Sequence, residues 1–401
     1  MIAWHIGRRW GGFVLGLAAI LPLSHAVATA AQRREPVLLA QGEASGAQRH
    51  SVALWALGDQ AFVMGSGFEG GGQRLTVGVA LRLLADRRLA FLWPAITNWA
   101  GPDLARLRDR SIAAARAASL AADADPHPMN TGEAMATGGV RATLQYADAL
   151  AEGGRLAEAI HLLRRSRRAP AAGNVLQQSN FVSLTLRMAS LSQLRNRDLE
   201  SALQILDEGR RAVDPAFVIN MDINRAAMLA TAGRHAEALA LIDTARSQFE
   251  KQLQWDETVE IAPVPGSLRQ FAGIRACALQ GLGRHDEARA AFSQVVSAPE
   301  SGDSSYALMT NAAIRLRSRI CMRDVEGVVD EFVGQLDSGQ MGQPVFSWVQ
   351  PGNAHPGVDR DFVDAVRTNP RLAAAASNRI RTLPPEFIPA LNHWWTPPPV
   401  R

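Results

Sequence analysis

Three stretches of this chain repeat one design. Asn224 to Arg246 reads NRAAMLATAGRHAEALALIDTAR: an alanine-rich apolar segment stops at Gly233-Arg234, and a second begins within a few residues. The design returns at Arg275 to Val296 (RACALQGLGRHDEARAAFSQVV) and at Leu144 to Ser166 (LQYADALAEGGRLAEAIHLLRRS). Apolar residues recurring every three to four positions predict amphipathic helices, and glycine after the last of them predicts a helix end. Each stretch is therefore an αα-hairpin. One hairpin leaves an apolar face uncovered, so neighbours must stack.

The spacing can be fixed on the small residue early in each second helix: Ala159, Ala202, Ala238 and Ala288, spaced 43, 36 and 50 residues apart. Four residues later stands a larger apolar residue: Leu163, Leu206, Ile242 and Phe292. Twelve earlier stand Ala147, Ser190, Ala226 and Ala276; nine earlier stand Leu150, Gln193, Leu229 and Leu279. Helices approach to about 8–9 Å only where facing residues are small, which is the role expected of the alanines. Gly154, Gly233 and Gly283 should close the first helices in left-handed conformation. A weaker fifth copy, Asn311 to Leu336, places its turn at Arg323-Asp324.

This pattern resembles the tetratricopeptide (TPR) repeat, with its A-x3-F second helix and period of about 34 residues. The first-helix Trp of that family is missing, and Arg225 and Arg275 stand where Leu is usual. The resemblance implies an all-α, TPR-like α-solenoid whose first helices line a concave groove. In that register the lining includes Arg141, Asp148, Arg187, Leu191, Ile223, Ala227, Ala230, Gln270, Cys277 and Gln280. It is mixed and largely uncharged, which by the resemblance suits an extended or helical peptide rather than an acidic terminus.

Charge argues against a nucleic-acid partner. The net charge is only +4, Lys251 is the only lysine, and acids are interspersed with the arginines. The one basic block, Arg164-Arg165-Ser166-Arg167-Arg168, falls at a helix end, where cations favour the dipole. Arginine in place of lysine fits a GC-rich bacterial genome.

Residues 1–30 read as a signal peptide. His5, Arg8 and Arg9 precede the apolar run Gly11 to Leu23, and Ala26-Val27-Ala28 and Ala28-Thr29-Ala30 are cleavage sites of the A-x-A kind. Export would place the mature chain in the periplasm, and no later apolar stretch is long enough to span a membrane. Cys277 and Cys321 have neither metal-ligand spacing nor a disulfide framework around them. One bridge between them is open to an exported protein; two small buried apolar side chains is the plainer reading.

The remaining organisation follows in order. Residues 31–50 read as a polar linker, 51–138 as a mostly helical segment, 139–340 as the repeats, and 341–401 as a helical cap with a Pro-rich tail. Within the cap, Gly339 to Pro356 reads as loop. Asp361 to Arg367, Pro370 to Arg381 and Pro385 to Asn392 read as short helices, and Trp394-Trp395 pins the tail.

Two constellations touch on chemistry. Gly65-Ser66-Gly67-Phe68-Glu69-Gly70 matches G-x-G-x-x-G, with Ala61 to Met64 as a preceding strand and Gln73 to Arg87 as a following helix. Gly71-Gly72 and the missing acid after a second strand favour a plain glycine loop over a dinucleotide site. His235 with Glu237, and His285 with Asp286 and Glu287, occupy the same turn of two repeats and read as solvated helix starts. The expectation is a non-enzymatic, exported scaffold that binds another protein or peptide, with no cofactor, catalytic or metal site. The alternative is an enzyme or nucleotide-binding protein with its site near Gly65 to Gly72.

Overall fold

The computed structural model describes residues 37–44, 50–57, 60–65, 73–101, 104–124, 138–196, 198–254, 265–297, 305–338, 343–351, 353 and 358–387. The targeting segment, the glycines after Gly65 and the Trp394-Trp395 tail lie outside them.

The chain enters through a sheet, which the sequence reading did not anticipate. Strands β1 (Val37–Ala44), β2 (His50–Leu57), β3 (Gln60–Gly65) and β4 (Gln73–Arg74) pair antiparallel in sequence order. β1 falls inside the expected linker, and the other three strands open the segment expected to be mostly helical. Val52, Leu54 and Ala56 point to one buried face, where Leu54 lies opposite Val63 and Ala56 opposite Ala61. Trp55 and Phe62, on the other face, are also partly buried. The period of two was therefore hidden in a run that is apolar throughout.

Helix α1 (Val77–Ala85) follows, its first turn capped by the Thr76 hydroxyl, which accepts from Val79 N–H. Every residue of α1 except Arg82 is buried, so it is a core helix rather than a surface one. Asp86 ends α1 and its carboxylate accepts from Arg88 N–H at 2.9 Å, opening a 3-10 turn, Arg87–Leu92. Then come α2 (Trp93–Ala100) and α3 (Ala105–Ala124).

Five hairpins succeed them. They are α4 (Gly138–Glu152) with α5 (Leu156–Ser166), α6 (Val175–Asn196) with α7 (Leu199–Ala212), and α8 (Pro215–Thr231) with α9 (His235–Gln254). α10 (Pro265–Gly281) pairs with α11 (His285–Ser297), and α12 (Ser305–Cys321) with α13 (Val325–Asp337). Each packs on the next, which is an α-solenoid. Ala159, Ala202, Ala238 and Ala288 are all wholly buried, as are Ala147, Ala226 and Ala276 twelve residues earlier.

The turns share one hydrogen-bond scheme. The N–H groups of Arg155, Arg234, Arg284 and Asp324 donate to the carbonyls five residues back, on Leu150, Leu229, Leu279 and Arg319, at 2.8, 2.9, 3.0 and 2.9 Å. This pairing needs a left-handed residue just before the donor. Gly154, Gly233 and Gly283 supply it at φ 77, 82 and 74°. In the fifth hairpin Arg323 does so at φ 56°, which costs a residue with a Cβ about 1–2 kcal/mol. That hairpin departs in its seam as well. Val328 and Leu316 stand at the positions held by alanine in most other copies, so its two helices meet through larger side chains.

Helices α14 (Gln343–Trp348), α15 (Arg360–Arg367) and α16 (Pro370–Arg379) and a 3-10 turn at Pro385–Phe387 complete the described chain. α14 replaces the loop expected there. These elements cover α13, as a cap should, and they also close on the N-terminal segment. One apolar core joins Leu54, Leu81, Leu84, Leu92 and Ile96 to Phe332, Trp348, Phe362, Val366 and Leu372. Arg381 N–H donates to the Ala85 carbonyl at 2.8 Å, Trp93 meets Phe387 edge-on, and the Arg381 guanidinium stacks 4.4 Å from the Trp93 ring. The two ends of the described chain thus build one terminal module, from which the array departs through α3 and to which it returns through α13.

Candidate interaction groove

The groove expected from the repeat register begins on α4 and α6. Asp148 and Glu152 lie one helical turn apart on α4, and Arg187 on α6 donates to Asp148. Burial pushes Glu152 up to about 8, the Asp148 charge adds to that, and Arg187 opposes it. Burial likewise raises Asp148, against the pull of Arg187. At neutral pH the Glu152 carboxyl therefore keeps its proton and can donate as well as accept a hydrogen bond.

Further along, the lining divides. Leu191 and Ala230 are buried in the core shared by α4 to α11, and Ile223 in a smaller core with Phe271 and Ile274. These three serve packing between hairpins and are not free to meet a partner. Ala227, Gln270 and Gln280 stay partly exposed; the Gln280 side-chain oxygen lies 3.0 Å from His285 Nδ1. Cys277 is bonded to Cys321, so the plainer reading of two separate thiols was wrong. The pairing joins α10 to α12, first helices of neighbouring hairpins.

Arg225 and Arg275 reach across to the preceding hairpin. Arg225 pairs with Asp207, and Arg275 with Asp243 at 2.9 Å. The acids stand five residues after the preceding alanine anchor, a spacing readable in the sequence but not used. Arg315, the same position of the fifth copy, turns instead to Glu331 of its own hairpin at 2.8 Å.

The histidine turns carry ion pairs, not acid–base dyads. Glu237 and Glu287 take bidentate contacts from Arg234 and Arg284 at 2.5–2.7 Å. His285 is exposed, as expected. His235 is less so: it packs where a side chain on Gly281 would collide with its ring, and burial lowers its pKa.

The glycine run after β3 does not lead into a helix. β4 returns antiparallel, with Phe62 opposite Arg74 and Val63 opposite Gln73, and α1 begins only at Val77. A dinucleotide turn joins a strand directly to a helix on the way to a parallel strand, which is a different arrangement. Among the described residues, no group of three or more His, Cys, Asp or Glu is placed to hold a metal ion, and no helix is long and apolar enough to cross a membrane.

No family model, curated protein or solved structure matches the chain.

Proposed function

We propose that this protein is an exported, TPR-like scaffold that holds another protein or peptide in the bacterial cell envelope. The observation that carries the reading is the array itself: five hairpins whose first helices stand side by side and offer partly exposed Arg187, Ala227, Gln270 and Gln280. Extended surfaces of this kind spread affinity over several repeats. Export is supported by the basic and apolar signal at residues 1–30 and by the Cys277–Cys321 bond, which persists in oxidising compartments. The kinship with TPR repeats rests on the buried alanine anchors and the four shared turns.

The test is a photo-crosslinking residue at Ala227, partly exposed on α8, beside one at Ala240, exposed on α9. The groove reading expects capture of one partner at Ala227 and not at Ala240, with the same pair recovered when the partner is the bait. Capture lost only when the chain stops at Asn392 would move the site to the Trp394-Trp395 tail. Turnover of a small molecule that requires Gly65 to Gly72 would replace the scaffold reading with the enzymatic one.

A further inference from the structure

From Arg164 to Leu176 the chain reads RRSRRAPAAGNVL: four arginines and no acid. The formal net charge of all 401 residues is +4, so this one stretch carries a surplus equal to that of the whole chain. It comprises the end of α5, the connection that follows, and the start of α6. The two helix ends therefore lie at one edge of the array, at the end of α5 away from its glycine turn.

The fold decides which arginines face water. Arg167 turns inward: its guanidinium pairs with Glu208 of α7 at 3.0 Å and lies 5.3 Å from the Phe181 ring. Arg164, Arg165 and Arg168 are exposed, and none of them has an ion pair or hydrogen bond among the described residues. The dipole of α5 favours Arg164 and Arg165 in its last turn. It gives no reason for Arg168 beyond the helix, or for the apolar pair that follows. Val175 and Leu176 are 69% and 38% exposed, and among the described residues they are the one adjacent pair of large apolar side chains left open to water. Single exposed apolar residues need no explanation; a pair beside three free guanidiniums is a specific combination. Hydrogen bonds fix the backbone that presents it. Gln178, buried on α6, donates to the Ala171 carbonyl at 3.2 Å and accepts from Asp214 N–H at 3.1 Å. Asp214 in turn accepts from Gly173 N–H at 2.8 Å, so neither it nor Glu208 pairs with the three free arginines.

We propose that this edge docks on a membrane surface rich in anionic lipid, with Arg164, Arg165 and Arg168 against the headgroup phosphates and Val175 and Leu176 entering the boundary between headgroups and acyl chains. A guanidinium meets a phosphate through two parallel N–H donors. Aliphatic side chains at the interface add apolar burial to that attraction. Ala169 to Asn174, between the two groups, carry no charge, so nothing there repels the surface. The inference goes beyond the scaffold reading and holds whatever the first helices bind.

The test is co-sedimentation of the full-length protein with vesicles of mixed phosphatidylglycerol and phosphatidylcholine, beside vesicles of phosphatidylcholine alone. Wild type and variants share residues 1–30, so any binding through the apolar run Gly11 to Leu23 is common to all and shows on the neutral vesicles. The anionic vesicles should bind the protein more tightly, and less so as salt is raised. Each cation near such a surface contributes about fivefold, so Arg164→Gln/Arg165→Gln/Arg168→Gln should bind roughly a hundredfold more weakly. Val175→Ser/Leu176→Ser should also bind more weakly. Arg106→Gln/Arg116→Gln/Arg360→Gln removes the same charge from exposed arginines elsewhere and should bind as the wild type does. Thermal melts check that each variant is folded. Equal losses in the two triple variants would make the effect one of net charge and overturn the proposal. A Val175→Ser/Leu176→Ser variant that binds like the wild type would overturn it too, as would anionic vesicles that bind the wild type no better than neutral ones. If the Arg164–Arg168 variant then lost a crosslinked acidic protein instead, the edge would be a protein interface.

Discussion

Arg275 on α10 donates to Asp243 on α9 at 2.9 Å, which spans two hairpins. Arg225 and Asp207 repeat the relation one hairpin earlier. An arginine at this place makes the contact between hairpins a charged one. Both side chains of the Arg275 pair are about a third exposed or more, so solvent screens them. A double-mutant cycle on Arg275→Ala and Asp243→Ala should return a coupling of about 0.2–1 kcal/mol. A value well above that would mean the pair is a principal hold between hairpins.

The alanine anchors are a stronger constraint. Ala238 is wholly buried between α8 and α9, whereas Ala240, two residues on, is exposed. Ala238→Leu should overpack the seam and cost about 1–3 kcal/mol. Ala240→Leu should stay within about 0.5 kcal/mol. Urea midpoints that coincide for the two variants would contradict the packing.

Two glycines with open space around them should respond to alanine with opposite sign. Neither Gly283 nor Gly334 has an atom within 4 Å of where a Cβ would stand. Gly283 lies at φ 74°, in the left-handed turn between α10 and α11, so Gly283→Ala should cost about 1–2 kcal/mol. Gly334 lies inside α13, so Gly334→Ala should add about 0.5–1 kcal/mol. Thermal melts of the two variants should move in opposite directions.

Glu152 makes stability depend on pH. Its folded pKa of about 8 lies above the ordinary 4.5. The folded chain therefore keeps a proton that the unfolded chain has released across that window. Stability falls as pH rises from about 4.5 to 8. Glu152→Gln removes this loss: it should match the wild type near pH 4 and be the more stable protein at pH 9. Urea unfolding at both pH values checks it; a difference that does not grow with pH would show that the carboxyl is ionised throughout.

The parts of this fold that were legible in the sequence are those fixed by local geometry. Ala159, Ala202, Ala238 and Ala288 could be found because helices close together need small residues at a set spacing, and Gly154, Gly233 and Gly283 because a left-handed turn excludes most others. Arg323-Asp324 was legible as a turn by position alone. The sheet was missed because Val52 to Leu57 is apolar on both faces, and Ala61 to Met64 reads as a strand only within the G-x-G-x-x-G pattern. One available signal went unused: Leu57 pairs with Gln60, so only Gly58-Asp59 separates β2 from β3, a two-residue hairpin connection. The meeting of the cap with the N-terminal segment could not be read. Asp86 bridges to Ile380, and Arg87 donates to the Ile380 carbonyl across 293 residues, and no periodicity encodes such a meeting. The Cys277–Cys321 bond, across 44 residues, is of the same kind. In the groove, Leu191, Ile223 and Ala230 fall on the lining by register alone, whereas here they pack into the cores between hairpins.

The central structural claim is that one module, built from both ends of the described chain, closes the array. Trp348 on α14 is fully buried there, edge-on to Phe332 and Phe362, in the same core as α1. Trp348→Ala should cost about 3–5 kcal/mol, and the loss should be felt at both ends of the chain. Hydrogen exchange should quicken together in Val77–Ala85 and in α15–α16 while α8–α9 stays protected. Quickened exchange confined to the C-terminal helices, with Val77–Ala85 unchanged, would contradict the shared module.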